Sequence, residues 1–156
     1  MDQNGTLEAK IAYLGMIQGV IARMATDGQT MKALAITVGA AVVALSPDGG
    51  RAVIWLSIAG LVAVCLFWWQ AAYHLHVEHA YRRLYDLVRQ DKPLPAFSMD
   101  WRTYGGEVPS TFALARRWAV ALPFGATFVL LATFAISTAT TPLAPTANHT
   151  SVQPTK

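Results

Sequence analysis

The pattern of apolar and polar positions divides the chain into three long apolar runs and two stretches of helical periodicity. The runs are residues 33–45 (ALAITVGAAVVAL), 52–69 (AVIWLSIAGLVAVCLFWW) and 118–136 (WAVALPFGATFVLLATFAI). A helix needs about 20 predominantly apolar residues to cross the hydrocarbon core. The second and third runs approach that length without a charge, and the first is a thin span even when extended over residues 29–46. Between the first two runs lies SPDGG, residues 46–50, whose Pro, Asp and paired Gly read as a tight reversal. Runs one and two are therefore expected to form an antiparallel helical hairpin. Pro123 predicts a kink in the third run, which a membrane bundle tolerates.

The N-terminal stretch, residues 6–27, has two sides at 100° per residue. Leu7, Ile11, Leu14, Ile17, Val20, Ile21 and Met24 cover one broad face, and Ala12, Gly15, Gly19 and Ala22 lie opposite, flanked by Glu8 and Arg23. Gly15 and Gly19 form a small-xxx-small pair, which lets two helix backbones approach closely. Each glycine costs about 1 kcal/mol against alanine inside a helix, so two on one face point to packing. Only residues 11–22 lie between Lys10 and Arg23 without a charge, too few to span. Two readings stay open: a helix wedged in an oligomer interface, or a membrane-surface helix with incidental glycines. Gln18 sits inside the oily arc and needs a hydrogen-bond partner there. Arg23 is expected to satisfy helix-end carbonyls or to pair with an acid such as Asp86 or Asp100.

The second periodic stretch is residues 72–90, AYHLHVEHAYRRLYDLVRQ. Tyr73, Val77, Ala80, Tyr81, Leu84 and Val88 share a stripe. Glu78 stands four before Arg82, and Arg82 four before Asp86, so the polar side supports itself. Nothing interrupts the pattern between Trp69 and Ala72. The second run is thus expected to continue out of the membrane as one helix of about 55 Å, stopped by Lys92-Pro93-Leu94-Pro95. Residues 97–110 (FSMDWRTYGGEVPS) mix aromatics with turn formers. They either fold over a cytoplasmic surface or rest Phe97, Trp101 and Tyr104 at the headgroups.

Composition turns these runs into a class. Of 156 residues, 54% are hydrophobic and 13% charged, against about 25% charged in soluble domains, so a membrane protein is expected. A net charge of +3 is too modest to suggest direct nucleic-acid binding. Cys65 is the single cysteine, which excludes an intrachain disulfide, and in an apolar run it reads as a small buried hydrophobe. The opening MDQNGTLEAK has no basic segment leading into a compact apolar core, so no cleaved secretory signal is expected. The Thr- and Pro-rich tail cannot bury a core and is expected to be disordered. Its Asn148-His149-Thr150 fits a glycosylation sequon, which has no meaning in a bacterial protein.

The basic residues orient the chain. Arg82, Arg83, Arg89, Lys92, Arg102, Arg116 and Arg117 lie between runs two and three, with Lys10, Arg23 and Lys32 before run one. Only Arg51 sits in the first turn and only Lys156 in the tail. The N-terminus and residues 72–117 are therefore expected in the cytoplasm, with the first turn and the tail outside. Trp68, Trp69 and Trp118 fall at the inner span ends, where interfacial anchors belong.

Candidate chemistry is sparse. His74 and Glu78 are four apart, but HExxH is missing, HxxEH fails because position 75 is leucine, and His76 and His79 lie on another side from His74. Neither a metal nor a cofactor is expected. No nucleophile–base pair, phosphate loop or paired-acid site stands out, so an enzyme is not expected.

One set of residues does carry a likeness. Lys10, Tyr13-Leu14-x-Met16-Ile17-Gln18-x-Val20-Ile21-x-Arg23-Met24-Ala25 and Lys32 are followed by Glu78-x-x-Tyr81-Arg82-x-Leu84-Tyr85-Asp86 and Phe97-Ser98-Met99-Asp100. Together these resemble the RipA-family octameric membrane proteins, small bacterial inner-membrane proteins similar to the pore-forming accessory protein of some RNA-targeting CRISPR systems. Thr26-Asp27-Gly28 stand where that family has Asn-Ser, and Ala71 where it has an acidic residue. The resemblance implies an octamer around an axial opening, in the bacterial inner membrane, with no known enzyme activity.

The expected fold is an all-α membrane protein with an N-terminal amphipathic helix (1–28), a transmembrane hairpin (29–71), a cytoplasmic helix and loop (72–117), a third transmembrane helix (118–137) and a disordered tail (138–156). Gly15, Gly19, Gln18 and Arg23 are the candidate oligomer-interface residues, and Glu78, Arg82, Tyr85 and Asp86 the candidate cytoplasmic-helix residues. The expected function is a homo-oligomeric pore or pore-like assembly in the lipid bilayer, permeabilising the membrane in stress or phage defence. The alternative is a non-conducting oligomeric scaffold that docks a cytoplasmic protein partner.

Overall fold

The computed structural model describes residues 3–46, 51–93 and 97–140. The reversal after Ser46 and the tail beyond Thr140, sequon included, lie outside the described residues. Every regular element among the described residues is helical: α1 (Gln3–Ala44), α2 (Arg51–Arg89), α3 (Arg102–Gly105), α4 (Thr111–Ala115) and α5 (Trp118–Thr140).

α1 is one helix of 42 residues, about 63 Å long. It joins the N-terminal glycine-notched stretch to the first apolar run without a break. The junction, Thr26-Asp27-Gly28-Gln29-Thr30, is rich in weak helix formers. The Thr26 and Thr30 hydroxyls donate back to the Ala22 and Thr26 carbonyls, and α2 alongside offers a continuous surface, so packing overrides local preference.

α2 runs unbroken from its apolar half into its charged half over 39 residues, as its periodicity predicts. It ends in a Schellman turn. Lys92 N–H donates to the Leu87 carbonyl, Asp91 N–H donates to Val88, and Asp91 takes the left-handed position at φ 54°. Pro93 then prevents continuation. α5 stays helical through Pro123, which forfeits one backbone hydrogen bond there.

α1 and α2 lie antiparallel, and α5 packs on both. Their contact has two cores. At the apolar level Ala35, Val42, Val64, Ala71, Val120, Phe124 and Leu131 are buried together, with the Trp68 ring stacked 6.3 Å from Phe124. At the charged level of α2, Tyr13, Ile17, Leu84, Leu87, Val88 and Tyr104 form a second cluster. The segment after α2 folds over this second core and does not float as a loop. The Tyr13 hydroxyl donates to Ser98 O at 2.5 Å, Tyr81 donates to Met99 O at 3.2 Å, and Arg83 pairs with Glu107 at 2.7 Å. Trp101 is partly covered and Tyr104 buried, while Phe97 stays exposed.

Among the described residues α2 and α5 are the two candidate membrane-spanning helices, with mean hydropathy 2.2 and 2.1 over windows only 22% buried. A core helix of a soluble protein would be mostly buried. Here Trp55, Val62 and Leu66 of α2 and Leu122, Val129 and Ile136 of α5 face outward. Cys65 corrects an expectation: it is exposed, because it falls on the outward side of α2 while its neighbour Val64 takes the inward one.

Candidate functional site

Two cavities lie along the junction of α1 and α2, where the apolar half of the bundle gives way to the polar half. Side chains three and four apart share a helix face. That spacing lines up Gln18, Ile21, Ala25, Gly28 and Lys32 on α1 with Ala71, Leu75, Glu78, Arg82 and Tyr85 on α2. The polar-end cavity, about 380 Å³, is lined by Gln18, Ile21, Arg82, Tyr85 and Asp86. The boundary cavity, about 210 Å³, takes Met24, Ala25, Gly28, Gln29 and Lys32 from α1, Ala71, Leu75 and Glu78 from α2, and Val120 from α5.

The Glu78–Arg82 pair links the two. Glu78 is 7% exposed, and a buried carboxylate needs a charged or hydrogen-bonding partner. Arg82 supplies it through Nη2 at 2.7 Å and Nε at 2.9 Å, both to Oε1. In the polar-end cavity the Gln18 amide donates to the Tyr85 hydroxyl at 3.1 Å, and Arg89 approaches Asp86 at 3.8 Å. Nearby, burial holds the Tyr13 phenol above its ordinary pKa, with Tyr104 adding to the shift. Burial also raises Tyr81, and Asp100 adds to it while Arg102 opposes it.

Four candidates thus meet in one cavity: Gln18, Arg82, Tyr85 and Asp86, with Glu78 bound to Arg82. The other three lie on the far side of α1. A side chain added at Gly15 or Gly19 would meet nothing within 4 Å. Arg23 is exposed and makes no ion pair among the described residues. The acids proposed for it are engaged elsewhere in its own chain, Asp86 with Arg89 and Asp100 with the Arg102 N–H. The oily arc of α1 divides. Ile17 is buried and Leu14 and Ile21 are partly covered, whereas Leu7 and Ile11 are 57% and 60% exposed and border the glycine side.

The histidines are used locally. His74 contacts Gln70, His76 the Pro109 carbonyl and His79 the Leu75 carbonyl. Among the described residues no three His, Cys, Asp or Glu side chains converge as a metal set.

Sequence reasoning missed two packing glycines. A Cβ at Gly39 would lie 2.7 Å from Thr127 Cγ2, and one at Gly60 2.8 Å from Val42 Cγ2. Gly39 follows Ala35 by four, the same small-xxx-small spacing that drew attention to Gly15 and Gly19. It also missed Gln29 and Gly28 as cavity walls, for which a glycine inside a polar helical patch was the available signal. Compared with known proteins, the chain matches no family model, no curated protein and no solved structure.

Proposed function

We propose that this chain is the protomer of a homo-oligomeric membrane pore or pore-like assembly. In this reading the apolar halves of α1 and α2 and the whole apolar run of α5 are embedded in the bilayer, and the N-terminus and residues 72–117 face the cytoplasm. The observation that carries it is the uncovered strip on the N-terminal half of α1: Leu7, Ile11, Gly15, Met16 and Gly19. Leu7, Ile11 and Met16 are each more than half exposed, and the glycines leave open space beside them. Lipid does not cover this strip, because this part of α1 runs beside the charged half of α2. Lys10 pairs with Asp91 at 2.6 Å, and Ile17 packs in one core with Leu84 and Leu87. An apolar, glycine-notched face at an aqueous level calls for a protein partner, and a second copy supplies a matching strip. Eight copies, an inner-membrane location and a permeabilising role in stress or phage defence rest on the likeness to RipA-family proteins.

The polar-end cavity favours a second reading, a scaffold whose Arg82, Tyr85 and Asp86 dock a cytoplasmic partner. One experiment addresses both. Gly15→Leu with Gly19→Leu adds bulk at the proposed contact, where overpacking costs about 1–3 kcal/mol per site. The purified variant is expected to scatter light as smaller species, while the wild type forms a large oligomer that carries single-channel current in a planar bilayer. A monomeric wild type, or an unchanged oligomer in the variant, refutes the interface. An oligomer that carries no current selects the scaffold.

A further inference from the structure

The boundary cavity holds two opposite charges that do not meet. Glu78 and Lys32 both line it, yet no ion pair joins them. Lys32 is partly covered and makes no hydrogen bond or ion pair among the described residues. The Glu78 side chain is 9% exposed, and its Arg82 contacts both fall on Oε1, while no ion pair reaches the lysine. A largely buried carboxylate and a partly covered lysine that share a cavity without pairing mark a site that a ligand carrying both charges can bridge. Apolar Met24, Ala25, Leu75 and Val120 wall it. At about 210 Å³ it falls below the 300 Å³ or so of drug-sized sites but holds a small polar group.

Its level in the fold identifies the ligand. Lys32 immediately precedes the apolar run of α1, Ala71 follows Trp69 at the end of the apolar run of α2, and Val120 follows Trp118 at the start of α5. All three runs end at the cavity, and Trp68 and Trp118 flank it in sequence as interfacial anchors do. That is the depth of lipid headgroups. We propose that the cavity binds the headgroup of a phospholipid carrying a primary ammonium, with the phosphate on Lys32 and the ammonium on Glu78. A phosphate with a primary ammonium satisfies both charges at once. A quaternary ammonium lacks the N–H donors that Glu78 accepts, and an uncharged alcohol headgroup leaves the carboxylate unmatched. The inference rests on the membrane reading but not on pore formation.

Native mass spectrometry of the protein released from vesicles tests it. The vesicles hold equal amounts of phosphatidylethanolamine, phosphatidylcholine and phosphatidylglycerol with identical acyl chains. Phosphatidylethanolamine is expected to be retained about tenfold over each of the others, the ratio one charge-assisted hydrogen bond supports. Lys32→Gln should lower retention of all three. Gly28→Leu should abolish the preference by filling the cavity, and because nothing lies within 4 Å of a Cβ at Gly28, the thermal midpoint should hold. Glu78→Gln should bring phosphatidylethanolamine and phosphatidylcholine to parity, with Gly28→Leu deciding the matter if that variant fails to fold. Equal retention of the three lipids, a preference for phosphatidylglycerol, or a preference that survives Gly28→Leu overturns the headgroup assignment. Displacement of the lipid by equimolar free phosphoethanolamine overturns the lipid source in favour of a soluble ester. Retention of no phospholipid at all would remove the membrane reading with it, whereas indiscriminate retention would remove the headgroup assignment alone.

Discussion

The tightest glycine position among the described residues, Gly39, gives a sharp test of how the three long helices hold together. At Gly39 an added Cβ would sit 2.7 Å from Thr127 Cγ2, about 0.8 Å inside the ~3.5 Å at which two carbons pack well. Thr127 cannot turn its methyl aside freely. It is β-branched, and its Oγ1 donates to the Pro123 carbonyl at 2.9 Å, so rotation would break that bond. Gly39→Ala must therefore push α1 and α5 apart, at about 1–3 kcal/mol, against a gain of about 1 kcal/mol from the better helix former. Gly125→Ala is the control, because a Cβ there meets nothing within 4 Å and only the propensity gain remains. The two variants should differ by about 1–3 kcal/mol, with Gly39→Ala the less stable. Thr127→Ser removes the obstructing methyl and keeps the hydroxyl, so it should restore most of the loss in the double variant. Reversible unfolding in detergent, followed by tryptophan fluorescence, reads all four proteins. Gly39→Ala as stable as Gly125→Ala, or a double variant no better than Gly39→Ala, would refute the α1–α5 approach described here.

Two further outcomes follow from the site. Gln18→Leu should cost about 0.5–1.5 kcal/mol of protomer stability through the lost Tyr85 bond, whereas Arg23→Ala should leave the midpoint unchanged and lower oligomer yield more; the reverse ranking by light scattering and thermal midpoint would refute the division of α1 into a protomer face and an assembly face. Tyr13 and Tyr81 have raised folded-state pKa values, so the native state binds more protons and their contribution is full below about pH 10 and lost as pH rises through the raised values. The double Phe variant should lose about 1 kcal/mol per hydrogen bond at neutral pH and show a shallower alkaline fall in midpoint; an unchanged alkaline slope would count against the burial of these phenols.

Some of the site was legible because it obeys one period. Glu78, Arg82, Tyr85 and Asp86 share a face of a helix whose 3.6-residue stripe is clear in the sequence, and Gln18 stood out as a polar residue in an oily arc. What no period reveals is which turn of α1 meets which turn of α2, so the Gln18–Tyr85 contact and the cavity around it could not be read. Lys32 and Glu78 were each visible, but that they line one cavity without touching depends on the offset between antiparallel helices. Spacing in the sequence drew attention to Gly15 and Gly19 and passed over Gly39. Only packing separates Gly39, pressed against Thr127, from Gly15 and Gly19, which face open space in the protomer.

The sequence by itself determined that the chain is helical, where its apolar runs lie, and that α2 continues from an apolar half into a charged half. Those properties follow from local periodicity and composition, which act within a few turns. Tertiary structure decided the rest. It made residues 3–44 one helix across a Thr-Asp-Gly junction that local preference would weaken, because α2 provides an unbroken surface to lie on. It also folded residues 97–117 over the Tyr13–Leu84 core, because the Ser98 and Met99 carbonyls there find phenol donors from two different helices. Such contacts join residues 18 to 85 positions apart, and their free energy exists only once distant segments have been brought together.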